Sequence, residues 1–214
     1  MKIALFGGTG PTGRYVIEEA LRQGYALSVY TRDAGKLSAF EGRVAVVVGD
    51  LGNRDAIKAC IAGAGAVISA LGPNKQRSKE KRPVMHGVRT IMSVMEALGV
   101  HRLIQISTAS YRDPKDGFDL KSRGLATMFK LLAHNAYDDI KATAALVSRS
   151  PLDWTLVRIP FLEDGPATDR VAVGWYGKTR LGMKLSRANL ARFLVDQVAA
   201  KAFVRAAPGI ADHV

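Results

Sequence analysis

A short apolar run, a glycine-rich turn and a helical pattern follow one another at the start of the chain, and together they constrain the fold most. Residues 3–13 read IALFGGTGPTG, and the helical pattern continues over about residues 14–23. The glycines Gly8, Gly10 and Gly13 are spaced as G-x-G-x-x-G. One glycine permits the sharp turn, the next lets a pyrophosphate approach the backbone, and the last lets helix and strand pack closely. The alternative is a structural turn that holds no ligand.

The whole turn is predicted to hold the phosphates of a dinucleotide. The N–H groups at the start of the following helix, together with its dipole, would stabilise the phosphate charge. The residues predicted to contact the cofactor here are Gly7, Gly8, Thr9, Gly10, Pro11, Thr12 and Gly13.

Strand and helix patterns alternate through the rest of the chain. Further strands are predicted at residues 26–31, 43–48, 66–70, 103–106 and 154–159, and helices at about 54–62, 83–98 and 187–201. The β-branched run at 43–48 is typical of a strand covered on both faces. Asn53 and Ser186 are predicted N-caps.

This alternation predicts an α/β fold, a doubly wound parallel sheet of the Rossmann type with right-handed crossovers. We expect residues 1–214 to form a single domain. Residues 161–186 hold several glycines and two short strand-like pieces. Because ligands of such sheets lie beyond the carboxyl ends of the strands, this small C-terminal segment is predicted to cover the substrate.

Composition excludes several classes of site. Cys60 is the single cysteine, so neither a disulfide framework nor a thiolate metal cluster is predicted, and no histidine pair has metal-ligand spacing. No apolar run reaches the roughly 18 residues of a membrane helix. The apolar stretch before the glycines is too short for a signal peptide. These features indicate a cytoplasmic protein with no membrane partner and no metal, either a monomer or a homodimer.

The net charge of +12 raises nucleic acids, membrane surfaces and anionic small molecules as partners. The densest basic run, residues 75–82, is equally well a solvated loop. Because no nucleic-acid-binding signature is present, the charge favours an anionic cofactor or substrate over nucleic acid.

Segments at the predicted strand ends resemble a known family. They are GGTGPTG, Thr31-Arg32, Gly49-Asp50-Leu51, Ser69-Ala70-Leu71-Gly72 and LDWTLVRIP at residues 152–160. Together they are similar to the atypical short-chain dehydrogenase/reductases, small NAD(P)H-binding proteins such as biliverdin reductase B (flavin reductase) and the NmrA-like redox sensors. The resemblance covers nearly the whole chain and implies an NAD(P)H-binding Rossmann fold. It does not fix the activity, because the family includes reductases, isomerases and non-catalytic sensors.

The end of the second strand favours NADP(H) over NAD(H). Sites that select NAD usually place an acid there, which accepts from the ribose 2′-OH. Here Thr31 and Arg32 occupy the position. Arg32 can stack on the adenine and pair with a 2′-phosphate, and Lys36 could reach the same phosphate. Asp33, one residue further on, is the argument for NAD.

The remaining cofactor contacts are predicted after later strands. Asp50 would accept from the adenine amine while Leu51 packs on the ring, although Asp50 could instead cap a helix turn. The segment after the fourth strand, Ala70, Leu71, Gly72 and Pro73, would pass beneath the nicotinamide ribose. The resemblance implies that Pro160 and Phe161 close the nicotinamide side.

Tyr137 and Lys141 match the Y-x-x-x-K pattern of active short-chain dehydrogenases, and the spacing places them on one helix face. The phenol would exchange the carbonyl proton and the lysine would lower its pKa. Ser107 or Thr108 would orient the carbonyl. The spacing also arises by chance. In a mechanism without the tyrosine, the cofactor reduces a bound electron-poor ring, and the proton comes from solvent or from Ser107 or Thr108.

The sequence therefore predicts an NADPH-dependent oxidoreductase that passes hydride to a flavin, a quinone or a small carbonyl compound, with a small anionic or aromatic substrate. The alternative is a non-catalytic NADP(H)-binding sensor that regulates a partner. A nucleic-acid-associated protein, suggested by the charge, is a third hypothesis.

Overall fold

The structure, a computed structural model, describes residues 1–72 and 81–213. This part of the chain contains ten strands, six α-helices and a short 3₁₀ helix. The strands are β1 (Lys2–Phe6), β2 (Ala26–Thr31), β3 (Ala45–Val48), β4 (Ala66–Ser69), β5 (Arg102–Thr108), β6 (Asp153–Ile159), β7 (Phe161–Glu163), β8 (Val171–Gly174), β9 (Lys184–Ser186) and β10 (Gly209–Asp212). The helices are α1 (Pro11–Arg22), the 3₁₀ helix Ala34–Phe40, α2 (Arg54–Ile61), α3 (Pro83–Ala97), α4 (Leu120–Leu132), α5 (His134–Ser148) and α6 (Arg187–Asp196).

Eight strands form one sheet in the order β3-β2-β1-β4-β5-β6-β10-β8. All neighbours are parallel except β8, which pairs antiparallel with β10. The predicted doubly wound parallel sheet is therefore confirmed. The order in which strands join the sheet reverses between β1 and β4, and the crevice at their carboxyl ends is where ligands of such sheets bind.

Helices cover both faces of the sheet, because alternate strand residues point to opposite sides. On one face α2, α3 and α5 pack over a core that includes Val67, Leu103 and Leu156. On the other face α1 and α6 pack over a core that includes Leu5 and Ile68. The predicted N-caps Asn53 and Ser186 are confirmed, since each side chain accepts from a backbone N–H in the first turn of its helix.

The third strand is not covered on both faces, so the prediction of its surroundings was wrong. β3 lies at the edge of the sheet, and Val46 and Val48 are 37% and 55% exposed. Its β-branched residues favour an extended backbone wherever the strand lies. They therefore do not report how many faces or neighbours cover it.

The chain after the fifth strand differs most from the predicted pattern. Helix α6 ends at Asp196 rather than near residue 201. Strand β10 was not predicted, and it joins the sheet between β6 and β8. Within the predicted covering segment, β8 belongs to the main sheet while β7 and β9 form a separate parallel pair. Only part of residues 161–186 can therefore lie over a substrate.

Candidate functional site

A cleft with a volume of about 890 Å³ opens at the carboxyl ends of β1, β2, β3 and β4. The first turns of α3 form its far wall. Its lining consists of Gly7, Thr9, Tyr30, Thr31, Arg32, Gly49, Asp50, Leu51, Gly52, Leu71, Gly72, Pro83, Val84, His86, Gly87 and Thr90. The cleft therefore collects predicted cofactor residues that are distant in the sequence.

Close packing requires three glycines of the turn, and the fourth is the least crowded of the four. Gly7 has a φ of +87°, and a Cβ there would lie 2.8 Å from the Ala70 carbonyl carbon and oxygen. A Cβ on Gly8 would overlap the Val29 side chain, and one on Gly13 would overlap the Gly7 carbonyl oxygen. A Cβ on Gly10 would meet only that same oxygen, at 3.3 Å. The space at Gly10 is where a phosphate group can approach the backbone.

The start of α1 is an uncapped helix N-terminus. Gly10 is the N-cap and offers no side chain, Pro11 is the first helical residue, and no acid lies in the first turn. The next N–H groups, of Thr12 and Gly13, have no partner within a helix by its geometry. An anion satisfies such groups and is stabilised by the dipole. The cradle and its donors therefore fit the pyrophosphate of a dinucleotide.

Arg32 lines the cleft, whereas the neighbouring acid is engaged elsewhere. The Asp33 carboxylate accepts from the Gly35 N–H at 3.0 Å and so caps the 3₁₀ helix. The Asp33 N–H donates to Thr31 Oγ1 at 3.0 Å. Asp33 is absent from the cleft lining, so the cation rather than the acid faces the ligand.

Arg14 is a second cation, which was not predicted as a cofactor contact, and it lies beside Lys36, which was. Lys36 is exposed on the 3₁₀ helix, and its carbonyl oxygen accepts from Arg14 Nη2 at 3.5 Å. Arg14 lies in the first turns of α1, directly after the glycine turn. Its position directly after the turn was the available signal. Neither Arg14 nor Lys36 is part of the described cleft lining, so contact of Lys36 with the cofactor stays a prediction.

Both alternatives for Asp50 find support in its contacts. Its Oδ1 accepts from the N–H groups of Gly52 and Asn53, at 2.8 and 3.0 Å, which is the turn-holding role. The residue also lines the cleft. Tyr30 donates its hydroxyl to the Asp50 carbonyl at 2.6 Å, and burial raises the pKa of Tyr30 to about 12, so this donor stays protonated.

Leu51 packs closely on Gly87 of α3. A Cβ at Gly87 would lie only 2.5 Å from Leu51 Cδ1. His86 and Thr90 of the same helix line this part of the cleft. Their location could not be predicted from the sequence, since their helix is far from the strand ends in the chain. The helix itself is fixed from α5, where the buried Asp139 carboxylate accepts from the N–H groups of Val84 and Met85, at 3.0 and 2.8 Å.

The segment after β4 runs along the floor of the cleft. The Ala70 N–H donates to the Phe6 carbonyl at 2.9 Å, and Leu71 and Gly72 line the cleft. Pro73, predicted as the next contact, lies outside the described residues.

A second, smaller cavity of about 190 Å³ lies under the covering segment. Pro160, predicted to close the nicotinamide side, forms part of its wall, whereas Phe161 is 52% exposed and lies outside it. The other lining residues are Asp119, Lys121, Ser122, Leu125, Tyr176, Gly177, Thr179, Arg180, Leu181, Gly182, Met183 and Ile210. This cavity is the candidate for a substrate.

The four predicted catalytic residues line neither cavity. Ser107 is 2% exposed, and its Oγ has no hydrogen-bond partner among the described residues. Thr108 donates its hydroxyl to Ser110 Oγ at 2.9 Å. Lys141 Nζ lies 6.0 Å from the centre of the Tyr137 ring, as the spacing predicts for one helix face. The structure brings the tyrosine and lysine together but not to the cleft lining.

A buried ion pair, which sequence reasoning missed, ties the covering segment to the sheet. Arg158 of β6 is fully buried, and its Nη1 and Nη2 donate to the Asp116 carboxylate at 2.5 and 2.8 Å. The Tyr176 N–H donates to the same carboxylate at 3.1 Å, and the Arg158 guanidinium stacks 4.4 Å from the Tyr176 ring centre. Burial raises the pKa of Tyr176 to about 12. The sequence signal was an arginine whose neighbours in the strand, Leu156, Val157 and Ile159, are apolar.

Two features are absent from residues 1–72 and 81–213. No helix there is long and apolar enough to cross a bilayer. Likewise, no group of three or more histidine, cysteine or acidic side chains in these ranges is placed to hold a metal ion.

Comparison with known proteins agrees with this geometry. Residues 7–201 match the model of a family described as NAD(P)H-binding. Over 125 residues the chain is 27% identical to the mouse protein sterol-4-alpha-carboxylate 3-dehydrogenase, decarboxylating. That match covers 56% of this chain and 33% of the mouse protein, so it spans about a third of that relative.

Solved structures share the fold over nearly the whole chain. A short-chain dehydrogenase/reductase from Veillonella parvula, in complex with NADP, is 17% identical with a TM-score of 0.75, covering 99% of this chain and 94% of that one. The anaerobillin reductase ChuY from Escherichia coli is 20% identical with a TM-score of 0.77, covering 99% and 97%. Likeness at this level of identity establishes the fold alone.

Proposed function

The chain belongs to the NAD(P)H-binding family, and we propose that it is an NADPH-dependent reductase that passes hydride to a flavin, a quinone or a small carbonyl compound. The observation that carries the proposal is the cleft lined by Gly7, Thr9 and Arg32, directly before the uncapped start of α1. Bound NADPH supplies the hydride. The chain supplies the phosphate cradle, the adenine pocket at Leu51 and the walls that exclude water from the reacting atoms.

The choice of NADPH over NADH is supported by the side chains around the end of β2. Arg32 faces the cleft, while the Asp33 carboxylate caps the 3₁₀ helix. Lys36 is exposed on the same 3₁₀ helix and its carbonyl oxygen accepts from Arg14, although neither residue is part of the cleft lining. A 2′-phosphate suits Arg32, whereas the acid in the described cleft lining, Asp50, holds the turn after β3 by accepting from the Gly52 and Asn53 N–H groups.

Replacing Arg32 with alanine is expected to remove most of the preference for NADPH. A charge-assisted pair of this kind contributes about 1–3 kcal/mol, so NADPH affinity should fall roughly 5- to 150-fold while NADH affinity stays nearly constant. Calorimetric titration of both cofactors measures the change. Arg149→Ala, which removes an exposed cation at the far end of α5, is the matched control. An equal loss for NADH would show that Arg32 supports the fold and does not read the 2′-phosphate.

The positions of the predicted catalytic residues support an acceptor that needs no positioned phenol. Tyr137 and Lys141 line neither cavity, and Ser107 is buried. An electron-poor ring such as a flavin or quinone accepts hydride at one atom, and its proton can come from solvent. In that reaction the chain contributes orientation of the ring against the nicotinamide.

Tyr137→Phe is accordingly expected to leave NADPH-dependent quinone reduction within about twofold of the unmodified rate, because Tyr137 does not act as a general acid in the proposed reaction. A loss of about 10²–10⁴ in turnover, the usual size of general acid catalysis, would instead assign the proton transfer to Tyr137. Steady-state assays with a quinone and with an aldehyde distinguish the two cases. NADPH affinity, measured in parallel, serves as the control for folding.

The proposed activity is tested by following NADPH oxidation with a flavin, a quinone and an aldehyde in turn. Gly10→Val provides the control, since it should not bind the cofactor. Turnover of at least one acceptor supports the reductase. Tight NADPH binding with no turnover would favour the second candidate, a non-catalytic NADP(H) sensor, which the absence of Tyr137 and Lys141 from the lining of both cavities also supports.

A further inference from the structure

Large apolar side chains are exposed on one side of the molecule, along α4. Leu120, Leu131 and Leu132 are 72%, 79% and 79% exposed, Met128 is 41% exposed, and Phe118, just before the helix, is 67% exposed. None of the residues of α4 is buried. Single exposed apolar residues are ordinary, but a contiguous patch indicates a contact surface. We call these five residues the α4 stripe.

The geometry of α4 places four of the five residues on one side of the helix. At 3.6 residues per turn, Leu120, Met128, Leu131 and Leu132 fall within an arc of about 120°. The opposite side packs on α5, where the Phe129 ring lies 6.1 Å from the Tyr137 ring. The helix therefore already has a partner on one side and presents a second apolar side to solvent.

Positive charge surrounds the stripe. Lys121, Arg123 and Lys130 lie on α4, and the Arg123 guanidinium lies 4.6 Å from the Phe118 ring centre. None of these three cations forms an ion pair with a carboxylate in the described part of the chain.

The nearby acids are engaged elsewhere. Asp119 caps α4 by accepting from the Ser122 N–H at 2.9 Å, and Asp116 pairs with the buried Arg158. The face thus combines exposed apolar surface with uncompensated cations.

We propose that the α4 stripe docks on an anionic lipid bilayer surface. A helix with leucines and a methionine on one side and lysine and arginine beside them lies in the plane of the bilayer interface. The apolar side chains enter the acyl boundary, and the cations meet anionic headgroups, with Lys121 reaching them along its aliphatic stem. A second copy of the chain would oppose the same cations across the contact, so the lipid surface satisfies both features and self-association does not.

The docking surface adjoins the candidate substrate cavity. Lys121, Ser122 and Leu125 of α4 line that cavity, and so does Met183, which is 43% exposed. An acceptor dissolved in the lipid would enter from the docked side without crossing water. The sequence predicted no membrane partner because no segment can span a bilayer, whereas surface docking needs only one amphipathic helix.

Sedimentation with lipid vesicles tests the proposal. The full chain is mixed with vesicles of phosphatidylcholine alone, or of equimolar phosphatidylcholine and phosphatidylglycerol, at low and high salt. The variant is Leu131→Ser/Leu132→Ser, both exposed and therefore compatible with folding. The matched control, Val46→Ser/Val48→Ser, changes exposed valines on edge strand β3. NADPH titration of each protein checks that it is folded, and does so independently of vesicle binding.

Salt-sensitive binding to the phosphatidylglycerol vesicles, reduced at least about tenfold by the leucine changes and retained in the valine control, supports the proposal. Absence of binding by the unmodified chain overturns it, as does equal binding to both kinds of vesicle. A concentration-dependent dimer in sedimentation velocity, lost in the leucine variant without any vesicle binding, would assign the stripe to a second copy and also overturn it. Reductase activity in detergent-free buffer decides the proposed function separately.

Discussion

The Gly10→Val variant is expected to bind NADPH at least about 100-fold more weakly than the unmodified chain, a change of about 2.7 kcal/mol, while folding normally. Gly10 has a φ of −77° and a ψ of 167°, which valine adopts readily. A Cβ there meets only the Gly7 carbonyl oxygen, at 3.3 Å. The branched side chain would therefore occupy the space that the pyrophosphate needs, and the cost falls on the bound state.

Two further glycine variants sharpen this result. Gly124→Val introduces the same side chain on the exposed surface of α4, where a Cβ meets nothing within 4 Å, and should bind NADPH normally. Gly13→Ala would overlap the Gly7 carbonyl, so it should lower thermal stability as well as affinity. Calorimetric titration and thermal melts separate these effects. Unchanged affinity in Gly10→Val would show that the turn does not hold a dinucleotide.

Asp116→Ala is expected to lower the free energy of unfolding by about 3–5 kcal/mol. The change leaves the fully buried Arg158 guanidinium without its carboxylate, and an uncompensated buried charge is strongly destabilising. It also removes the acceptor of the Tyr176 and Asp113 N–H groups. We therefore expect the covering segment to lose its attachment to β6 along with the stability.

Urea unfolding followed by circular dichroism measures this difference. The matched control is Asp169→Ala, which breaks an ion pair to Arg192 in which the carboxylate is 93% exposed, and its unfolding midpoint should barely move. Asp116→Asn keeps the size and one acceptor oxygen, so its loss should be smaller than that of the alanine variant. If Asp116→Ala unfolds at the same urea concentration as the unmodified chain, the pair does not anchor the segment.

The first half of the fold was readable from the sequence because its signals are local. The glycine turn marks the end of β1, Asn53 marks the start of α2, and the apolar spacing of residues 83–98 agrees closely with α3. The strand patterns were short apolar runs that end close to where the observed strands end. From these elements the order of a doubly wound sheet follows by general rules of connection.

The features that sequence reasoning missed depend on neighbours distant in the chain. Strand β10 is a short segment that becomes a strand only because β6 and β8 flank it. The exposed edge position of β3 depends on the order of the whole sheet. Arg158 looked like part of an apolar strand, and its partner Asp116 lies 42 residues earlier in a loop. Such pairings carry no local pattern.

Some residues of the candidate site could likewise be predicted from the sequence, and others could not. Residues at strand ends, such as Arg32 and Leu71, could be placed because all parallel strands end at one edge. His86 lines the cleft only because Asp139 fixes the start of α3 from a neighbouring helix. The Y-x-x-x-K spacing predicted the shared helix face of Tyr137 and Lys141, but not which way that face points in the fold.

The central claim is that the cleft at the carboxyl ends of β1, β2 and β4 binds NADP(H) in preference to NAD(H). Calorimetric titration of the unmodified chain with NADPH and with NADH, at the same salt concentration, tests it most directly. We predict one site per chain and an affinity for NADPH at least about tenfold higher than for NADH, a difference of about 1.4 kcal/mol. Equal binding curves, or tighter binding of NADH, would contradict the claim.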